Sequence, residues 1–346
     1  MANNNSKSVF RTGVILVNIG TPDSPSVPDV RRYLREFLTD PRVLTMSKVA
    51  RWLLVNLIIA PLRGPKSARA YKTIWTTRGS PLREHGEKLA VALQENIGSA
   101  YVVRLAMRYG NPSLEAVLTE LLDHLKVEDL VLVPMYPQYS SSATGSSIEK
   151  LNDLLAQRAV IPAVRVVGDF YDDTGFISSS ASLAEQWLAS FNPDHLLMSY
   201  HGLPEMHVKA STDGYCFSEN KCCAQLTTKN RFCYRAQCFE TSRLLARALG
   251  LSEQKYSVSF QSRLGRIPWI QPFTDKILAE LYERGVRRLA VTVPSFVSDC
   301  LETLEEIGDR ARADWMALGG EAFILIPCLN SDPRWVESLG KIVLGR

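Results

Sequence analysis

Eight short runs rich in Val, Ile and Leu alternate with helix-patterned stretches, and this alternation limits the fold more than any other feature of the chain. "GVILVNI" (13–19), "YVVRLAM" (101–107), "DLVLVPMY" (129–136) and "AVRVVGDF" (163–170) form one set. "DHLLMSY" (194–200), "YSVSF" (256–260), "RRLAVTVP" (287–294) and "EAFILIP" (321–327) form a second. Near-continuous apolar runs read as strands buried on both faces. Amphipathic stretches such as "LREHGEKLAVALQENI" (82–97) and "PFTDKILAELYERG" (272–285) read as crossover helices. Strand–helix alternation of this kind gives parallel sheets with right-handed crossovers. Two sets of four strands predict two similar α/β halves, joined near residues 170–175.

A chain of 346 residues is long enough for two cores. Basic residues exceed acidic ones by only four, with no basic run, which argues against a nucleic-acid partner. The polar start "MANNNSKSVF" lacks the apolar region of a signal peptide, so a cytoplasmic, reducing setting is expected. In that setting clustered thiols more often bind metal than pair as disulfides.

In open α/β sheets ligands bind beyond the C-terminal strand ends. The segments there include "GTPDSP" (20–25), "PQYSSSATGSS" (137–147), "HGLPEMH" (201–207), "QSRLGRIPW" (261–269) and "SFVSDCLETLEEI" (295–307). None carries a Gly-rich dinucleotide fingerprint or a P-loop. His201 ends a buried strand with Gly202 clearing space beside it; the imidazole can take a proton, ligate a metal or simply cap the strand. Asp299 and Glu302 have capping-box spacing. Glu302 and Glu306 share a helix face, where like charges disfavour one another unless a proton or cation is shared. Trp269 reads as a cleft wall or as a packed aromatic.

Five of the seven cysteines fall within residues 216–238. No Cys-x-x-Cys pair is present, which weakens a zinc ribbon. Cys222 and Cys223 are adjacent and cannot easily both serve one cluster. Four thiolates remain, the complement of an iron–sulfur cluster, with zinc or free and redox-paired thiols as alternatives. Cys300 and Cys328 read as small buried hydrophobes. The apolar segment "VARWLLVNLIIAPLRG" (49–64) is too short to span a bilayer. It reads either as a buried helix or as an exposed lip, and Trp52 with the basic flank fits an interface.

Taken together, "ILVNIGTP", "YPQYSSSATGSS", "SYHGLP", "FQSRLGRIPW" and "SDCLETLEEI" resemble, in order, the signatures of the ferrochelatases, which insert ferrous iron into a porphyrin. The resemblance runs from about residue 11 to the end. It implies two Rossmann-like domains of chelatase type, each a four-stranded parallel sheet flanked by helices, around a porphyrin cleft. The domains are expected at 9–172, carrying the lip, and 173–346, carrying a Cys-rich insertion at about 214–238, with the last strand and helix packing back on the first domain.

The resemblance further implies that His201 accepts pyrrole protons or binds iron. Glu302 then lies on the opposite face of a distorted porphyrin, with Glu306 the next acid of a proton or metal path. Ile19, Arg63, Tyr71, Ser80 and Trp269 would contact the substrate. Arg310 stands where some relatives carry a further acid. The insertion is similar to that of the internal-cysteine subclass, implying a 2Fe–2S cluster on Cys216, Cys223, Cys233 and Cys238, with Cys222 as the alternative to Cys223. Protoporphyrin IX is the expected substrate and ferrous iron the expected metal, giving protohaem. Coproporphyrin, another metal, or a non-catalytic iron–sulfur or haem sensor are the alternatives. Peripheral membrane contact through 49–64 is expected.

Overall fold

The computed structural model describes residues 11–216, 222–263, 265 and 267–345. The polar start and residues 217–221 of the Cys-rich insertion lie outside the described residues.

The first half opens with β1 (Thr12–Thr21), followed by α1 (Val27–Leu38), α2 (Lys48–Leu53), a π-helical turn (Leu54–Ile59) and α3 (Ala60–Ile74). It continues through α4 (Pro81–Ile97), β2 (Tyr101–Gly110), α5 (Leu114–Thr119), β3 (Asp129–Pro134), α6 (Ser146–Leu155) and β4 (Ala163–Val166). Helix α7 (Thr174–Phe191) leads into β5 (His195–His201), α8 (Glu205–Ala210), α9 (Tyr234–Ala248), β6 (Tyr256–Gln261), α10 (Thr274–Glu283) and β7 (Arg288–Thr292). Then come α11 (Leu301–Thr303), a π-helix (Leu304–Ala311), α12 (Arg312–Ala317), β8 (Ala322–Leu325) and α13 (Pro333–Leu344).

The strands form two parallel sheets, ordered β2-β1-β3-β4 and β6-β5-β7-β8. In each half the first strand is internal, because the chain crosses to one side for the second strand and to the other for the third. The crevice at such a reversal opens at the carboxyl end of that first strand. Ile19 on β1 and His201 on β5 therefore occupy corresponding places in the two halves.

The apolar runs form strands because their Val, Ile and Leu side chains fill cores on both faces. Val14 and Leu16 pack with Leu89, Leu93 and Val103, while Ile15 and Val17 face Leu118, Leu121 and Leu132 on the other side. Trp335, Leu339 and Val343 of α13 enter the first of these cores. By contrast, β8 stays in the second sheet, its Leu289↔Phe323 register with β7 keeping it there. Helix α7 links the halves: Phe176 and Ile177 belong to the first core and Ala181 and Ala184 to the second.

The 49–64 segment is helical and forms a lip, not a buried helix. Val49, Leu57 and Leu62 are 71%, 63% and 73% exposed, while Val55 and Ala60 anchor the other side. Arg51, which interrupts the apolar run, is turned inward and donates to the carbonyls of Leu44 (3.2 Å) and Met46 (2.8 Å). Among the described residues no helix is long and apolar enough to cross a membrane.

Candidate functional site

Strand β5 ends at His201, at the carboxyl edge of the second sheet. Its main-chain amide donates to Ser295 Oγ at 3.1 Å, and Tyr234 donates from its hydroxyl to the His201 carbonyl at 2.9 Å. The imidazole Nδ1 lies 2.6 Å from the Gly202 carbonyl oxygen. A carbonyl can only accept, so Nδ1 carries a proton, which makes Nε2 the acceptor of the neutral ring. Phe296 stands edge-on to the ring at 6.4 Å. Gly202 is required here: a Cβ would sit 2.6 Å from the Gln261 carbonyl oxygen, against Trp269 as well. Trp269 is half-buried and joined to Pro204 by a β-bridge, so the aromatic walls the same loop that carries the histidine.

Glu302 comes from the helix that follows β7. Its carboxyl is half-buried, and burial, reinforced by the charge of Glu306, raises its pKa above the ordinary glutamate value, with His201 pulling the other way. Gln261 joins the two residues, its carbonyl accepting from the Gly202 amide and its Nε2 donating to the Glu302 carbonyl, both at 2.7 Å. Glu306 accepts from the Ser262 hydroxyl, from Gln261 Nε2 at 3.4 Å and from Arg310 at 2.9 Å. The two acids do share one helix face, as their spacing requires.

The helix start differs from the capping-box expectation. Cys300, not Asp299, is the N-cap, with Thr303 as its reciprocal partner. Asp299 is buried and accepts instead from Thr303 Oγ1 (3.2 Å), the Cys328 amide (3.2 Å) and Asn330 Nδ2 (2.7 Å). The residue is thereby committed to the chain beyond β8, leaving Glu302 free of a capping duty. Cys300 and Cys328 are both buried, as read.

The residues expected to meet the substrate fall into two groups. Tyr71 is buried on α3, and burial, then the charge of Glu302, raises its pKa well above the ordinary value, so it adjoins the carboxylate. Ser80 is buried and accepts from Thr21 Oγ1 at 2.9 Å, at the end of β1 beside half-buried Ile19. Gly20, with φ +118°, lets β1 turn there, since a Cβ would meet the Tyr109 carbonyl oxygen at 1.8 Å. Arg63 is exposed, two turns before Tyr71 on α3, toward the lip rather than beside the carboxylates.

A buried hydroxyl chain supports the site and was not legible in the sequence. Ser199 donates to Gln261 Oε1 at 2.8 Å and lies 3.0 Å from Thr274 Oγ1, which lies 2.9 Å from Ser259 Oγ. Gln261 Nε2 then donates to the Glu302 carbonyl at 2.7 Å. No spacing rule flags these residues, because they meet only when β5, β6 and α10 pack. Polar residues on strands otherwise rich in apolar ones are the sole signal.

The cysteine segment packs against the second core. Cys216, Cys223, Cys233 and Cys238 are buried free thiols and Cys222 is half-buried. Cys216 and Cys233 Sγ atoms are 2.8 Å apart, and those of Cys222 and Cys223 are 3.8 Å apart. Contact with Cys233 lowers the pKa of Cys216 and Cys223, Arg235 adding to the effect, whereas burial raises that of Cys238. Among the described residues no three His, Cys, Asp or Glu side chains are grouped as a metal ion would need.

The fold resembles the solved structure of SirB from Bacillus subtilis with Fe3+, at a TM-score of 0.54 and 9% identity over 97% of this chain and 95% of that one. This is a likeness of fold alone. Sequence comparison reaches further. The ferrochelatase of Legionella pneumophila (strain Paris) is 46% identical over 96% of this chain and 99% of its own length. That of Coxiella burnetii (strain CbuK_Q154) is 46% identical over 97% and 94%. With the Ferrochelatase family model matching residues 11–346, the chain belongs to the ferrochelatase family, the metal chelatases that insert iron into a porphyrin.

Proposed function

We propose that the chain inserts ferrous iron into protoporphyrin IX, with His201 and Glu302 on opposite faces of a bent macrocycle. The observation that carries this reading is the bridge that Gln261 makes between the two groups, its carbonyl accepting from Gly202 beside His201 and its side-chain amide donating to the Glu302 carbonyl, so that an imidazole and a carboxyl group brought by separate elements are held together. The reaction exchanges two pyrrole protons for one Fe2+. His201 Nε2 takes a proton from one face. Glu302, whose raised pKa suits it to gain and lose protons, serves the other face, and Glu306 behind it accepts the incoming metal or the outgoing proton. A bent ring exposes its nitrogens, so binding it bent favours the transition state over the flat substrate. Tyr71, Ser80, Ile19 and Trp269 line the ring's place, and Arg63 at the lip meets a propionate.

The lip's exposed apolar residues support contact with a membrane surface, from which a poorly soluble ring could pass directly. Four buried thiols beside Arg235, two of them with lowered pKa, suit an iron–sulfur cluster held by Cys216, Cys223, Cys233 and Cys238, Cys222 replacing Cys223 as the alternative. Such a cluster would brace the insertion; insertion chemistry does not pass through it. Visible absorption of anaerobically purified protein tests it, and a colourless protein with stoichiometric zinc rejects it.

The function is tested by porphyrin fluorescence with ferrous iron, using protoporphyrin and coproporphyrin side by side. Protoporphyrin is quenched by the wild-type protein, while His201→Ala binds the ring without quenching. Faster turnover of coproporphyrin would overturn the substrate assignment.

A further inference from the structure

The row of acids ends on a cation. Arg310 Nη2 lies 2.7 Å from Glu305 Oε2 and 2.9 Å from Glu306 Oε1, and its Nε reaches Glu305 at 3.0 Å. Helix winding makes this double grip available. Leu304–Ala311 is π-helical, so residues five apart stack as well as residues four apart. In an α-helix Arg310 would face positions 306 and 307, and Glu305 would lie off to one side.

Glu302, Glu306 and Arg310, four apart in turn, form one row. It runs from the half-buried Glu302, which feels both Glu306 and His201, out to a guanidinium that is 57% exposed. The other groups holding Glu306, the Ser262 hydroxyl and the Gln261 amide, are neutral donors that stay compatible with a bound cation. Arg310 is the cation it pairs with among the described residues, on Oε1, whereas Ser262 and Gln261 hold Oε2.

Resting on the reading of Glu306 as a step in metal delivery, we propose that Arg310 is an exchangeable counter-ion that gates metal entry. An incoming divalent cation takes the Glu306 carboxylate by displacing the guanidinium, so Arg310 sets the metal concentration at which the row loads. The guanidinium end of the pair is exposed to water, which takes over its solvation when it swings away from the less exposed carboxylates. A divalent ion interacts twice as strongly with a carboxylate at the same distance, so it wins the exchange where a monovalent one does not. Arg310 is thus a specificity-determining residue and touches no reacting atom of the ring.

The test is the KM for metal in zinc and ferrous insertion at low and high salt. Arg310→Gln removes the competing charge, and its metal KM is expected to fall about fivefold, the factor for one unit charge a few ångströms away in a water-like medium. The porphyrin KM is the internal reference and stays in place. Arg310→Lys restores the charge and returns the metal KM to within about twofold of wild type, and the gap between wild type and Arg310→Gln narrows in high salt. An unchanged or raised metal KM in Arg310→Gln overturns the proposal. A wild-type protein that inserts no metal overturns the chelatase reading instead. Zinc titration calorimetry then still decides Arg310: tighter zinc binding by Arg310→Gln supports the gate, and equal binding sinks it.

Discussion

Gln261 donates from its side-chain amide to the main-chain carbonyl of Glu302 at 2.7 Å. The same residue's own carbonyl accepts from the Gly202 amide at 2.7 Å, next to His201. One buried residue therefore spans the two halves of the proposed chemistry, its main chain held to Gly202 and its side chain to Glu302. Its amide cannot be reversed, because the Glu302 carbonyl needs a donor. The hydroxyl chain behind it is polarised accordingly, running from Ser259 through Thr274 and Ser199 to Gln261.

Gln261→Leu removes the side-chain end of that link, leaving the Glu302 carbonyl and the Ser199 hydroxyl without their partner, while the main-chain bond to Gly202 stays. Small displacements of a reacting group carry large rate penalties, so kcat is expected to fall roughly 10- to 100-fold. Porphyrin affinity, measured by fluorescence titration, should change little. A kcat within twofold of wild type would show that the amide merely fills space.

Glu302 gives a pH prediction with a definite sign. Its folded pKa is raised, by burial first and by Glu306 second. The neutral form is therefore favoured in the folded protein. Its contribution to stability is full below the unfolded value of 4.5 and is lost as pH rises through the folded pKa. Glu302→Gln should thus melt above wild type at pH 8, with the gap closing as pH falls toward 4. Glu306→Gln removes a neighbouring charge and should lower the pKa of Glu302, moving the acidic limb of kcat/KM to lower pH. A limb that stays put, or moves upward, contradicts the electrostatic assignment.

How far the sequence reached depends on the kind of interaction. Strand runs such as "GVILVNI" were legible because a strand buried on both faces has to be apolar throughout. That His201 ends a buried strand was legible because the apolar run "DHLLMSY" stops there at a glycine. The lip at 49–64 stayed ambiguous, since exposed and buried apolar helices share a composition; only packing shows that Leu57 and Leu62 face outward. Asp299 was misread because its spacing to Glu302 fits a cap, while its partners, Cys328 and Asn330, are about 30 residues away. The π-winding that aligns Arg310 with Glu305 has no compositional signature, and the hydroxyl chain behind Gln261 exists only once two strands and a helix have met.

A second buried network carries a stability prediction. Asp40 accepts from Arg108 (2.7 Å), Tyr109 (2.8 Å), Ser146 (2.6 Å) and the Arg42 amide (2.7 Å). Burial works to raise its pKa, but these donors outweigh burial and the net shift is downward. Its stabilising contribution is present above the unfolded value and disappears as pH falls through the lower folded value. Asp40→Ala strands a mostly buried guanidinium and should cost about 3 kcal/mol or more. Thermal melting at pH 7 should show a Tm lower by roughly 4 °C or more. A drop under 2 °C would mean that water readily replaces the carboxylate.

The lip yields the last prediction. Trp52, Leu57 and Leu62 project outward from one helical segment, and Arg63 and Lys66 follow on α3 within reach of an anionic surface. If each large side chain contributes roughly 1–1.5 kcal/mol on leaving water, the three together supply about 3–4 kcal/mol, more than a hundredfold in partitioning. Replacing all three with serine should therefore abolish co-sedimentation with vesicles containing phosphatidylglycerol. None of the three packs in a core, so the melting temperature should hold. Insertion into porphyrin dissolved in detergent should persist, while insertion into porphyrin supplied in vesicles should slow. Equal activity of wild type and triple variant on vesicle-borne porphyrin would mean that the ring reaches the cleft through water, and that the lip's apolar surface serves another contact.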